Sequence, residues 1–335
     1  MRVKLLIATD DSDYSEHLSQ NLAEHHSDKV SVSVCGTPGR LRELLQTQRF
    51  DAALLEPSFA SCADLSAITL PLLLAQDDSG QPDIPAGLKA VNRYQRISAL
   101  VAEVIGHYAR VSIGGRSDGD PTARITAVWS PAGGVGKTAV ALAYAEKMLL
   151  LGKKVMYLNL EPFSSLPAYF GGTGKSISAV FEMLENDEGN IKLLIRSIQQ
   201  DGGGISYLCR PDNYDDLNVL SPENTEVLVG ACAGVTEELV IDMGCTCDER
   251  TRKVFELSDR VLLVLGSSSA AQFKLAQFAS QHNVYQRIKE KTTTVANMDA
   301  AISVRLTSAI LFLPMVQSSD PYVVYKTLSA YSFDV

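Results

Sequence analysis

The chain has 335 residues, of which 46% are hydrophobic and 21% charged; this is the composition of a folded globular protein of about two domains and excludes disordered and fibrous classes. Its formal charge of −9 argues against a sequence-independent grip on nucleic acid, which needs many Lys and Arg set against phosphates. No apolar run reaches the roughly 18 residues that span a bilayer, and residues 1–8 turn polar too soon for a signal peptide, so a cytoplasmic protein is expected.

Apolar runs alternate with helical patterns along the whole length, the signature of parallel sheets wrapped by helices. Strands are predicted first at 3–8, 30–34, 52–55, 70–74 and 88–91, which suit one small doubly wound α/β domain. Ile97, Leu100, Val101, Val104 and Ile105 recur on one helical face and close that domain. Residues 111–124 collect Gly, Ser, Asp and Pro without apolar period and read as a linker, giving domains 1–110 and 125–335. Beyond it, strands at 125–129, 155–160, 205–208, 239–241, 261–265, 293–296 and 310–313 suit a second, larger doubly wound domain with a mostly parallel sheet of seven strands.

The first of these runs into Ser130-Pro-Ala-Gly-Gly-Val-Gly-Lys-Thr138 and then an Ala-rich helix reaching about residue 151, with Gly152 as its stop. Strand, glycine loop and helix stand in the order that a phosphate cradle requires. Gly133, Gly134 and Gly136 let backbone N–H groups turn inward, Val135 and Ala139 continue the cradle, Lys137 supplies charge to the outer phosphates, and the Thr138 hydroxyl can hold Mg2+. ATP with Mg2+ is the expected ligand. An ordinary P-loop has Gly five places before Gly136, where Pro131 stands, so the motif is a deviant one.

A second glycine run, Gly171-Gly-Thr-Gly-Lys-Ser176, has no strand leading directly into it and reads as a loop, with Ser176 capping the next helix. The adjacent His25 and His26 read as the end of a solvated helix. The six cysteines, at 35, 62, 209, 232, 245 and 247, form no CxxC pair and read as reduced thiols; the Cys245/Cys247 pair lacks further ligands for a metal.

The GGVGKT run resembles the ParA/MinD group of P-loop ATPases. That group carries a signature lysine before the paired glycines, a position that is Ala132 here. Asp242, closing strand 239–241, resembles the Walker B acid that orients Mg2+ through water, the alternative being a turn cap. Where the family shows Asp-x-Asp this chain has Asn159 and Glu161, and the resemblance gives Glu161 the acid's role of positioning the attacking water, with slow hydrolysis to ADP and phosphate. By the same resemblance the catalytic residues are Lys137, Glu161 and Asp242, and the metal residues Thr138 and Asp242. Asn297 resembles the adenine-binding Asn, and Pro314 and Met315 the loop that flanks the base; an Asn at a strand end is otherwise a turn residue.

Residues 1–110 resemble a response-regulator receiver, a flavodoxin-like domain, with Asp10 and Asp11 after the first strand. The acceptor position is Glu56, Ala75 and Gln76 replace the Ser or Thr after the fourth strand, and Arg93-Tyr94 replaces Lys-Pro after the fifth. No aspartyl phosphate can form there, so a docking or dimerisation surface is expected. A degenerate receiver joined to such an ATPase, with the strand end Tyr157-Leu-Asn-Leu-Glu-Pro162 and the run Asn92-Arg-Tyr-Gln95, resembles the TadZ/CpaE proteins. This implies a homodimer that organises Flp-type pilus assembly, with pilus and secretion proteins as partners, no direct nucleic acid, and recruitment to a cell pole or the inner membrane face only through partners. The alternatives are a regulatory ATP-dependent protein-binding module, in transcription or flagellar-number control, and a partition ATPase, against which the acidity weighs.

Overall fold

The computed structural model describes residues 2–27, 29–75, 88–111, 123–171, 174–186, 189–301, 306–307, 309–331 and 333. Two compact units divide the chain, the first Met1–Arg116 with Glu188–Ser197, the second Ser117–Asp187 with Ile198–Val335. Most of the expected linker 111–124 lies outside the described residues, as do Gln76 and the centre of the second glycine run.

In the first unit the strands β1 (Val3–Ala8), β2 (Val30–Cys35), β3 (Phe50–Leu55), β4 (Ile68–Ala75) and β5 (Lys89–Asn92) lie in the order β2-β1-β3-β4-β5. Every pair is parallel. β1 and β3 are apolar almost throughout because a parallel sheet buries both of its faces. The order reverses between β1 and β3, and such a switch point opens a crevice at the carboxyl ends of those strands. Helix Ile97–Val111 buries Leu100, Val101, Val104 and Ile105, and helix Ser12–His25 ends with His26 at its C-cap.

The second unit contributes β6 (Arg124–Trp129), β7 (Val155–Leu160), β8 (Gln200–Gly202), β9 (Ile205–Tyr207), β10 (Glu238–Met243), β11 (Arg260–Leu265), β12 (Thr292–Ala296) and β13 (Ile310–Phe312). Their order is β13-β12-β11-β6-β10-β7-β9-β8. Among the described residues this sheet has eight strands, not the seven expected. The addition, β8, pairs antiparallel with β9. Its Gln-Asp-Gly sequence carries no apolar signal, and the hairpin is made by its turn: Gly203 and Gly204 have φ of 73° and 99°, the left-handed pair that a two-residue hairpin of matching twist needs. Asp201 Oδ1 accepts the Gly204 N–H at 2.8 Å and fixes the turn.

A further difference lies at helix Ser178–Glu185, whose cap position is Ile177 and not Ser176. The Ser176 hydroxyl still accepts the N–H of Ser178 at 3.0 Å, since Ser176 is itself held in a short parallel bridge to Cys209.

β10 is buried at every position, so the carboxylate of Glu238 at its start must find partners inside. The Tyr144 hydroxyl donates to Glu238 Oε1 at 2.8 Å and the Thr126 hydroxyl at 3.0 Å. Burial raises the Glu238 pKa, and those two donors pull it back. Tyr144→Phe removes one donor and is expected to lower stability by about 1–3 kcal/mol. Denaturant unfolding measures it; an unchanged midpoint would show that this bond does not hold the strand.

Candidate functional site

β6 ends at Trp129, the chain turns through residues 130–136, and helix Lys137–Leu150 begins. Gly136 is the N-cap with φ of 82°, a conformation that L side chains avoid. A side-chain carbon at Gly136 would also collide with the Asn297 amide, so only glycine lets the loop lie this close to β12. The loop is fixed from both sides: the Ala132 N–H donates to Ser130 Oγ at 3.2 Å, and Asn297 Nδ2 donates to the Val135 carbonyl at 2.9 Å. Gly133 and Gly134 are exposed, Val135 and Ala139 buried, and Thr138 half-buried. Ala132, at the signature-lysine position, is only 3% exposed.

Strand register gathers the polar groups. Asp242 on β10 stands opposite Val128 of β6 and Asn159 of β7, all at the carboxyl ends of their strands, the edge where open α/β sheets bind ligands. Asp242 is fully buried. The Tyr157 hydroxyl donates to its Oδ2 at 2.7 Å and Asn159 Nδ2 at 3.3 Å, while Oδ1 has no partner in the protein. Burial first, then the charge of Glu161, push the Asp242 pKa up to about 6, against the pull of Thr138, Tyr157 and Lys137.

Lys137 is 7% exposed. Its Nζ lies 3.4 Å from Glu161 Oε1 and 3.4 Å from Cys245 Sγ. Burial works to discharge the ammonium, but Glu161, Cys245 and Asp242 outweigh it and raise its pKa, so it stays charged. Glu161 itself is turned by the bond from its N–H to Asn159 Oδ1 at 3.1 Å.

The structure thus brings Lys137, Thr138, Glu161 and Asp242 together and places Asn297 against the loop. The Asn297 amide is spent on Val135, while its Oδ1 is buried without a partner. Pro314 and Met315 follow β13 and are clipped to the loop after β12, because Asp299 Oδ2 accepts the Met315 N–H at 3.0 Å and the Asp299 N–H donates to the Leu313 carbonyl at 3.2 Å. Met298 and Asp299 take φ of 55° and 53° to make that clip, a strained conformation of the kind found where ligands are gripped.

Two participants escaped the sequence reading. Tyr157 looked like one more apolar residue of a buried strand, although a buried tyrosine usually finds a partner for its hydroxyl. Cys245 was read only as a free thiol; its place three residues after Asp242 was the available signal.

An orphan carboxylate oxygen, a charged lysine and the N-terminus of a helix behind a glycine loop fit a phosphate group carrying a divalent cation. No family model matches the chain, and no curated protein matches it in sequence. Solved structures share its fold. The ParA family ATPase of Chlorobium tepidum TLS superposes with a TM-score of 0.51 at 16% identity, over 64% of this chain and 94% of that one. MinD of Pyrococcus horikoshii OT3, complexed with Mg-ADP, gives 0.47 at 12% identity, over 62% of this chain and 94% of that one. The MinC:MinD cell division complex of Aquifex aeolicus gives 0.47 at 13%, over 64% and 98%. The first of these carries the likeness, and it is one of fold: an α/β domain with a mostly parallel sheet. Among the described residues no helix is long and apolar enough to cross a membrane.

Because Asp242 takes up a proton near pH 6 and a metal needs the carboxylate, Mg2+-dependent nucleotide affinity is expected to fall as pH drops through that value. Asp242→Asn should flatten the profile, and Tyr157→Phe should weaken the Mg2+-dependent part by roughly 10–100-fold. Titration calorimetry on either side of that pH measures both; a wild-type profile as flat as that of Asp242→Asn would remove Asp242 from the metal site.

Proposed function

We propose that the second unit binds ATP with Mg2+ and hydrolyses it slowly, as a positioning ATPase of the ParA/MinD type. The observation that carries this is the buried Asp242 oxygen left without a protein partner beside the N-terminus of the helix that begins at Lys137. Mg2+ supplies charge neutralisation on the outer phosphates. The backbone N–H groups of residues 133–139 cradle those phosphates, the Lys137 ammonium offsets their charge, and Thr138 and Asp242 hold the metal. Glu161 orients the attacking water, in line with its place beside Lys137. Pro314 and Met315 flank the base, and Asn297 braces the loop that holds the phosphates.

For the whole chain the reading is a two-domain protein, 1–110 receiver-like and 125–335 ATPase, of the TadZ/CpaE type that organises Flp-type (Tad) pilus assembly as a homodimer in the cytoplasm. The β2-β1-β3-β4-β5 order of the first sheet supports the receiver-like part. Glu56 at the acceptor position leaves that unit a docking role. A partition ATPase shares the fold of the second unit, but a formal charge of −9 disfavours the DNA contact that role needs.

Labelled-ATP titration tests the site. Lys137→Ala is expected to weaken binding by roughly tenfold or more, the equivalent of about 1.4 kcal/mol. Equal affinity in the two proteins would overturn the assignment. Glu161→Gln is expected to keep ATP affinity and stop phosphate release; brisk turnover in that variant would move the water-positioning role elsewhere. Adjacent pilin, secretion-ATPase and membrane-platform genes would support the pilus role, and their absence would count against it.

A further inference from the structure

We infer that Arg93 is a built-in cation that closes the carboxylate site at the carboxyl edge of the first sheet, and that removing its guanidinium uncovers a latent divalent-cation site formed by Asp11 and Glu56. The inference goes beyond the nucleotide reading and does not depend on it, since every residue involved lies in the first unit.

Three strand ends meet there. Thr9, Asp10 and Asp11 follow β1, Glu56 follows β3, and Arg93 follows β5, where its N–H donates to the Ala75 carbonyl at the end of β4 at 2.8 Å. In a receiver, the family that residues 1–110 resemble, the acids after the first strand hold Mg2+, so the resemblance implies a divalent ion in the crevice at this switch point. The residues present do not fit a metal. The Arg93 side chain, 5% exposed, reaches into the crevice. Its Nη2 is ion-paired with Asp11 Oδ2, and its Nη1 lies 2.9 Å from Glu56 Oε1. One guanidinium therefore bridges both carboxylates, as a divalent ion would.

Around this bridge the acids are oriented rather than loose. The Thr9 hydroxyl donates to Glu56 Oε1 at 2.6 Å and accepts the Asp11 N–H at 3.1 Å. The Tyr14 ring lies under the guanidinium, 4.1 Å from centroid to Cζ, a contact that stabilises a desolvated cation. Arg93 Nε is buried without a partner, so charge and stacking, not a complete set of hydrogen bonds, hold the side chain. An arginine cannot lose its proton in a protein, which makes this a permanent occupant that neither dissociates nor exchanges. In wild type the site accordingly takes neither a metal nor a phosphoryl group.

A purely structural ion pair and an internal stand-in for a metal differ in one respect: only the second leaves behind a geometry that a metal can fill. The test uses the full chain without nucleotide, so that the second unit's carboxylates form a constant background. Terbium is the probe, with Tyr14 as its luminescence sensitiser, and Mn2+ is the stabilising ion. Arg93→Ala is expected to lower the thermal midpoint by leaving two carboxylates uncompensated, and Mn2+ is expected to restore most of that loss in the variant while leaving the wild-type midpoint unmoved beyond the background. Terbium luminescence should rise above wild type in Arg93→Ala and return to the wild-type level in Arg93→Ala/Asp11→Asn. Arg93→Ala/Glu56→Gln should recover stability without metal and lose the Mn2+ effect. Arg93→Gln, which keeps the bulk and removes the charge, carries the same comparison if the alanine variant does not fold. A wild-type terbium signal that Asp11→Asn abolishes would overturn the inference, and so would a folded Arg93 variant with neither luminescence gain nor Mn2+ rescue.

Discussion

A carboxylate buried at the end of a central strand is the constraint around which the second unit is organised. Removing Asp242 from water costs free energy that must be met by hydrogen bonds or opposite charge, and the protein meets it on one oxygen only. Tyr157 and Asn159, on the neighbouring strand, supply donors to Oδ2, while Oδ1 is left open. The parallel register of β6, β10 and β7 brings these groups to the same edge as the glycine loop. Lys137 is drawn to the same place, where its charge is supported by Glu161, Cys245 and Asp242 against the cost of its burial. Fold and chemistry therefore depend on each other: with an apolar residue at 242, the buried tyrosine hydroxyl would lose its carboxylate acceptor and the buried ammonium one of the three groups that support its charge.

The two units treat the same problem in opposite ways. Each places acids at the carboxyl edge of a parallel sheet, where strand ends expose unpaired polar groups and helix N-termini face inward. In the second unit the nearby cation, Lys137, stands to one side and a carboxylate oxygen remains without a protein partner. In the first unit the guanidinium of Arg93 sits between Asp11 and Glu56 and engages both. An acidic edge whose cation is part of the chain has its charge compensated from within, whereas the Asp242 edge keeps one carboxylate oxygen without a protein partner.

The loops after β12 and β13 link the glycine loop of the second unit to the segment 313–315. Asn297 grips the Val135 carbonyl, and two residues later Asp299 grips the Met315 N–H. The left-handed backbone at Met298 and Asp299 is the cost of making both contacts from one short turn. The two loops are thereby joined by a connected set of hydrogen bonds.

The sequence by itself determined the parallel α/β class, nearly all of the strands and the position of the glycine loop between β6 and the helix that begins at Lys137. Those features rest on local signals: apolar runs bounded by turn residues, and a glycine motif whose spacing follows from backbone geometry. It also named Lys137, Thr138, Glu161 and Asp242, because their types are tied to motif positions. It did not reveal β8, whose Gln-Asp-Gly gains its strand character only from pairing across the Gly203-Gly204 turn. Nor did it reveal Tyr157 and Cys245 as members of the site, or the bridge from Arg93 to Asp11 and Glu56. Those contacts join residues 85, 108, 82 and 37 positions apart. Only the tertiary structure decided them, because which donor meets which buried charge is set by strand order and register, and no local pattern in the chain encodes the distance between the ends of two strands.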